Sequence, residues 1–262
     1  MAQNHHYTFG DNALAAERLR KLAAVFEPSS RRLLHALGPV PSGAGVDLGC
    51  GAGYTTRLLA AELPLTAVVG LDQSPKLLEQ ARREHAEPRV SFTQCDVAAP
   101  PLPVAPAVLL YARFLLTHLR EPAQVVQSWA SAALPDALLV LEETAFMIGE
   151  HPAFPRYYAL VERMQAHYAQ RMYIGRELAA LDVGSEWRIE SSQISVASLP
   201  AVDMARLHAL NLRTWSSDPF ATATYASADL QELGQELDAI ASGAIDAPAV
   251  SCGLGQLILR RT

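Results

Sequence analysis

The sequence predicts an α/β chain built on a doubly wound, mostly parallel sheet with helical insertions over one edge. Three observations carry that expectation. Short apolar or β-branched runs alternate with helical runs from residue 46 to about residue 141. The first of those runs ends in a glycine-rich turn, Gly49-Cys50-Gly51-Ala52-Gly53. Acidic residues recur where the next two runs stop, at Asp72 and Asp96.

The elements follow in order. Leu14, Leu19, Leu22, Val25 and Phe26 recur at helical spacing and predict a helix over 11–26, with Asp11 or Asn12 as its cap. Glu27-Pro28-Ser29-Ser30 is expected to break it. A second helix then buries Leu33, Leu34 and Leu37 and stops at Gly38-Pro39. Strands are predicted over 46–48, 66–71, 90–93, 107–111 and 137–141, and helices over 55–63, about 74–86 and 122–133. Pro75 suits the first position of its helix, since a missing N–H costs nothing there. A central strand of such a sheet is covered on both faces, so it should be apolar throughout, as Val108-Leu109-Leu110 and Leu138-Leu139-Val140-Leu141 are.

The pattern changes after Thr144. Residues 150–182 read as helical and carry Phe154, Tyr157, Tyr158, Tyr168 and Tyr173. A strand is expected over 188–197, irregular helices over 202–243 and a last strand over 250–259. The resulting organisation is an N-terminal helical leader or lid (1–38) and a core (39–262), with insertions at about 150–182 and 202–243 over the ligand edge.

Composition narrows the function. The 262 residues are half apolar, enough for a sizeable core, and the net charge is −6. There are two lysines, Lys21 and Lys76, and the arginines are dispersed, so no basic stripe is present for nucleic acid. No run suits a membrane span, and the first residues lack a signal-peptide pattern. The expectation is a cytoplasmic protein with a small-molecule substrate, no nucleic acid and no membrane, with a homodimer as the assembly to consider. Cys50, Cys95 and Cys252 are an odd, scattered set, which argues against a disulfide framework. The histidines show no ligand pairing, and no metal is expected.

The glycine turn admits two nucleotide readings. A dinucleotide fingerprint would place its third glycine at position 54, where Tyr54 stands. Asp47 at the entrance would repel a pyrophosphate and suits an ammonium group. An ordinary strand-to-helix turn is the plain alternative. Asp72, followed by Gln73, is placed to accept from ribose hydroxyls, against simple capping of the next helix. Asp96, followed by Val97, is placed to accept from an adenine amino group while its neighbours wall the ring. Three suitable loops at successive strand ends are a far less accidental pattern than one.

These residues resemble the class I S-adenosylmethionine (SAM)-dependent methyltransferases. Val46-Asp47-Leu48-Gly49-Cys50-Gly51-Ala52-Gly53 matches the family's first motif without departure, and Leu71-Asp72 matches its acidic ribose position. Cys95-Asp96-Val97 matches the adenine position, where the family more often has Gly before the Asp. The segment from Tyr111 to Leu119, which includes Arg113 and His118, matches the stretch after the fourth strand. The likeness is close over about 40–145 and loose thereafter. It implies a Rossmann-like seven-stranded sheet with the last strand antiparallel near an edge. It also implies S-adenosyl-L-methionine as cofactor, S-adenosyl-L-homocysteine (SAH) as product, and contacts from Asp47, Gly49, Gly51 and Gly53 and from Asp72, Gln73, Asp96, Val97 and Arg113. Tyr7 to Gly10 and Glu17-Arg18-Leu19 resemble the leader of a bacterial small-molecule subgroup, which implies that Tyr7 contacts the cofactor.

A sulfonium methyl group needs an aligned nucleophile and exclusion of water. His118 is the candidate base, against a reading in which it packs or caps the next loop. The Arg113 side chain could enter the substrate cleft or form a structural ion pair. Glu142 and Glu143 end the fifth strand, where one could orient substrate. Tyr173, Ile174, Gly175, Arg176, His151, His167 and Tyr168 are lid residues, each better explained alone by packing or surface. The expected activity is methyl transfer to a small organic molecule with a hydrophobic body, such as a secondary metabolite. Oxygen is the first acceptor considered, then nitrogen or carbon. The rival readings are a SAM-binding protein that catalyses a non-methylating reaction such as cyclisation, a non-catalytic binding protein, and an NAD(P) oxidoreductase disfavoured by Asp47 and Tyr54.

Overall fold

The computed structural model describes residues 13–262. Seven strands form one sheet: β1 (Ala44–Leu48), β2 (Ala67–Asp72), β3 (Val90–Gln94), β4 (Ala107–Arg113), β5 (Ala133–Ile148), β6 (Trp187–Leu199) and β7 (Val250–Arg261). Their order is 3-2-1-4-5-7-6. Strands β1 to β5 run parallel, and β7 lies antiparallel between β5 and β6. The winding reverses between β1 and β4, so the crevice beyond their carboxyl ends is the natural ligand site.

The central strands are apolar throughout because each face is buried against a different core. Leu109, Tyr111, Leu138 and Val140 pack on one side with Leu33, Leu34, Leu58 and Leu59. Leu110, Ala112, Leu139 and Leu141 pack on the other with Val125, Val126 and Trp129. Each fully buried aliphatic side chain contributes about 1.5–3 kcal/mol. The two tryptophans there keep their N–H groups satisfied. Trp129 Nε1 donates to Val97 O at 2.8 Å and Trp187 Nε1 to Val126 O at 3.1 Å.

Among the described residues eight α-helices flank the sheet: α1 (Ala13–His35), α2 (Tyr54–Glu62), α3 (Pro75–Glu84), α4 (Pro122–Ser128), α5 (Ala153–His167), α6 (Ala201–Trp215), α7 (Pro219–Thr224) and α8 (Ser227–Ser242). A third core joins α1, α5, α6 and α8 to the first half of β7, through Phe26, Phe154, Tyr157, Met204, Trp215, Leu237 and Leu254. This layer roofs the ligand edge.

Three expectations change. The break at residues 27–30 does not occur: α1 runs unbroken through Pro28. An interior proline costs a helix about 3 kcal/mol. Tertiary contacts offset it here, since Phe26, Ser29, Ser30, Leu33 and Leu34 are all buried. The fifth strand reaches from Ala133 to Ile148 rather than over 137–141, because its second half pairs along β7. Apart from short 3-10 turns at Ile174–Arg176 and Leu178–Ala180, residues 150–182 are α-helical only to His167. Beyond it, Gly175 lies on the sheet so closely that a Cβ would sit 2.4 Å from Glu143 O, and one on Gly255 would sit 2.1 Å from Gly175 O. Backbone laid on backbone leaves room there for a short 3-10 turn rather than an α-helix.

Candidate active site

The site begins with the turn after β1. Gly49, Gly51 and Gly53 have φ of +70°, +54° and +84°, a region that side-chain-bearing residues rarely occupy. The turn delivers the chain into α2, whose N-cap, Gly53, has no side chain to cap with. Asp47 supplies the charge instead. Its Oδ2 accepts from Thr55 Oγ1 and Thr56 Oγ1, each at 2.6 Å, in the first turn of α2. Burial pushes the Asp47 carboxyl up to about 6, against the two threonine hydroxyls and the nearby Arg113.

The turn is tied to the end of β2. Gly51 N donates to Asp72 Oδ2 and Ser74 N donates to Asp72 Oδ1, both at 2.8 Å. Burial raises the Asp72 carboxyl above its ordinary value, and these backbone N–H groups oppose that rise. With one N–H on each oxygen, the carboxylate is fixed in place and keeps lone pairs for a ligand. At the end of β3 a second acid is held similarly, with Ala98 N donating to Asp96 Oδ1 at 3.0 Å.

These groups face a cavity of about 570 Å³, within the range of small-molecule sites. Gly49, Gly51, Asp72, Gln73, Asp96 and Val97 line one end of it. Arg113, His118 and Glu143 carry the lining toward the helical roof. The structure thus brings together nine of the residues singled out above. Asp47 and Gly53 do not line the cavity; they hold the turn from behind. Tyr7 lies outside the described residues.

Arg113 is drawn toward α1. Its Nη1 donates to Ser30 Oγ at 2.9 Å, and Ser30 Oγ donates to Glu142 Oε1 at 3.0 Å. This buried relay locks α1 to the ends of β4 and β5, and it is why Glu142 sits off the cavity. Phe114 follows with φ +55° and packs edge-on against Phe26 at 5.0 Å. His118 stands at the cavity wall, bonded to Gln170. Burial and the charge of Arg18 hold its imidazole down at about 4, so the ring is neutral at neutral pH.

Glu143 is the residue that sequence reasoning undervalued. Its Oε1 accepts from Leu115 N at 2.7 Å and Leu116 N at 2.6 Å, while its buried Oε2 has no partner. Burial pushes this carboxyl up to about 8. Four more polar residues of the roof were missed: Tyr157 and Gln165 on α5, and His208 and Asn211 on α6. The available signal was polar residues within otherwise apolar helical stripes, at spacings of eight and three. The other lid candidates do not line the cavity. His167 stacks on Phe220 at 4.2 Å, His151 meets Phe154, Tyr168 Oη donates to Asp218, and Arg176 sits over Tyr173. Among the described residues no cluster suited to a metal ion occurs, and no helix is long and apolar enough to cross a membrane.

Comparison with known proteins agrees with this geometry. Residues 46–136 match the family model described as a methyltransferase domain. The chain is 41% identical over 97 residues to a trans-aconitate 2-methyltransferase of Methylobacterium nodulans, covering 37% of this chain and 36% of that protein. It is 35% identical over 122 residues to the enzyme of that name from Paracidovorax citrulli, covering 45% and 46%. The chain therefore spans about a third to a half of the length of these curated relatives. Among solved structures, the 4+2 cyclase SpnF superposes with a TM-score of 0.57 at 16% identity, over 95% of this chain and 92% of that one. A Haemonchus contortus phosphoethanolamine N-methyltransferase bound to SAM gives 0.54 at 16% identity, over 92% and 57%. The structural likeness shows the fold, and the matched sequence covers the strands that carry the glycine turn, Asp72 and Asp96. Over residues 46–136 the chain matches the methyltransferase-domain family, and its sheet has the Rossmann-like fold of solved SAM-dependent methyltransferases.

Proposed function

We propose that the protein transfers the methyl group of SAM to an oxygen of a small organic molecule. One observation carries the reading: a single cavity joins the fixed Asp72 carboxylate and the glycine turn to a neutral His118 under the roof. In this reading Asp72 accepts from the ribose hydroxyls and Asp96 from the adenine amino group. Val97 walls the ring, and the Gly49–Gly51 backbone gives close approach to the amino-acid end. SAM supplies, when bound, an electrophilic methyl on a sulfonium. The apolar roof over the acceptor excludes water, which would otherwise compete as nucleophile.

The chemistry left to the protein is proton movement. The acceptor oxygen bonds to the methyl carbon, the S–C bond breaks, and its electron pair stays on sulfur. The hydroxyl proton must then leave. Moving it first from a phenol of ordinary pKa to an imidazole at about 4 would cost about 8 kcal/mol. A proton on an oxygen that is gaining a carbon is far more acidic, so the His118 imidazole nitrogen takes it as the O–C bond forms.

The test uses methyl-labelled SAM and a pool of small metabolites. Label should pass to a small molecule with an equal amount of SAH; conversion of a metabolite without SAH would instead mark a non-methylating enzyme. His118→Ala should lower the transfer rate about 100-fold while SAH affinity stays within twofold. Equal loss in both, or in neither, would remove His118 from the chemistry.

A further inference from the structure

The roof of the cavity carries a feature that the cofactor end lacks. Tyr157, Gln165, His208 and Asn211 are at most 9% exposed and line the cavity. Among the described residues Gln165 Oε1, His208 Nδ1 and Asn211 Oδ1 make no hydrogen bond of normal geometry, and Tyr157 Oη has only marginal contacts with the Asn211 amide and Trp215. Each buried orphan costs about 1–3 kcal/mol. Four around one cavity are a large expense for a fold that could have placed Leu or Phe at each position, as it does at Val161 and Leu207 beside them. Groups left in this state are characteristic of a site whose hydrogen bonds are completed by a ligand.

The charge at the site restricts that ligand. Among the described lining residues the cationic side chains are Arg18 and Arg113, and Arg113 already donates to Ser30 beside Glu142. Three carboxyl groups, Asp72, Asp96 and Glu143, line the same cavity. The roof's two histidines add no positive charge, since burial holds His118 at about 4 and His208 at about 3. A buried carboxylate is an acceptor only and needs a cation or several donors. Glu143 holds its proton to about pH 8, so the described lining sets two arginines against the two carboxylates Asp72 and Asp96, and a tricarboxylate would bring three negative charges to a wall whose net charge is near zero. A neutral hydroxyl both donates and accepts, and so suits a phenol oxygen, two amides and an imidazole.

Resting on the methyl-transfer reading of this cavity, we infer that Tyr157, Gln165, His208 and Asn211 form the acceptor subsite, and that it selects an uncharged, hydroxyl-bearing molecule with an apolar body rather than a polycarboxylate. The chain thereby parts from the relatives whose names give trans-aconitate as substrate. Its match to the family model ends at residue 136, and α5 and α6, which carry the subsite, begin at residues 153 and 201.

The test is a matched pair of probes on SAH-saturated protein: 4-hydroxycinnamyl alcohol and 4-hydroxycinnamate, which differ by one carboxylate, with trans-aconitate as a third. The alcohol should bind at least tenfold more tightly than either acid. Asn211→Leu and Gln165→Leu should each weaken the alcohol about tenfold, with the SAH affinity held and the Tm of the free protein unchanged or raised. Tyr157→Phe, which deletes one oxygen, serves where a leucine variant does not fold. Equal or tighter binding of either acid, no binding of the alcohol, or variants that bind it like the wild type would each overturn the subsite. A variant that loses Tm in step with affinity would show a structural role and overturn it too. Failure of the protein to bind SAH at all would instead remove the methyl-transfer reading beneath it.

Discussion

The two ends of the cavity solve opposite problems. At the cofactor end every acid is held by its own neighbourhood: Asp47 by Thr55 and Thr56, Asp72 by Gly51 and Ser74, Asp96 by Ala98. At the roof, four polar side chains are each buried with a polar atom that makes no hydrogen bond of normal geometry among the described residues, although His208 Nε2 meets Tyr158 Oη at 3.2 Å. The first end is preorganised by short-range hydrogen bonds and is part of what stabilises the turn. The second leaves hydrogen-bonding capacity unspent for whatever enters. A site built the first way is rigid and shared across a family, while one built the second way is free to differ in each member.

The largest stability effect separating the two ends should come from Asp47. Asp47→Ala leaves two buried threonine hydroxyls without their acceptor and should cost about 2–3 kcal/mol, read by denaturant unfolding. SAH affinity should fall far less than for a change at Asp72, because Asp47 does not line the cavity. A loss of binding without a loss of stability would place its carboxylate in the cofactor site after all.

A smaller effect is expected between the ends, at Glu143. Its carboxyl is raised to about 8 in the fold from an ordinary 4.5, so the folded state holds the proton more tightly. That contribution is full below about 4.5 and is lost as pH rises toward 8. The depressed histidines, His118 and His208, act in the opposite direction but only below about 6.5. Stability should therefore fall between pH 6.5 and 8 by about 1–2 kcal/mol, and Glu143→Gln should flatten that limb. A limb unchanged in the variant would assign the titration elsewhere.

The smallest effect should lie at the roof. Asn211→Leu removes an orphaned oxygen and should raise the free protein's stability, by about 1 kcal/mol. A large loss would mean that the amide is structural and would erase the contrast between the two ends.

The same contrast explains what could be read from the sequence. The cofactor end is local: from Val46 to Val97 its residues lie on three successive strand–loop units, so spacing and residue type suffice to propose it. The sheet was legible because Leu109 and Leu110 must face different cores, which demands uninterrupted apolar strands. The roof was not legible. Tyr157 and Asn211 stand 54 positions apart, and nothing in either helix announces that they face one space. Pro28 misled for a related reason. Its local cost is real, but the Arg113–Ser30–Glu142 relay that holds α1 in one piece spans more than a hundred residues. Glu143 looked like a loop carboxylate until β5 proved to run on to Ile148 and the backbone of Leu115 and Leu116 proved to sit against it.

The central claim is that Asp72 and the glycine turn form the SAM end of the cavity. Calorimetric titration of SAH into the protein and into Asp72→Ala tests it most directly. The account predicts one SAH bound per chain, weakened about 100-fold by the substitution, which corresponds to about 2.7 kcal/mol for hydrogen bonds lost from a charged acceptor. No binding to the unaltered chain, or equal affinity in Asp72→Ala, would contradict it.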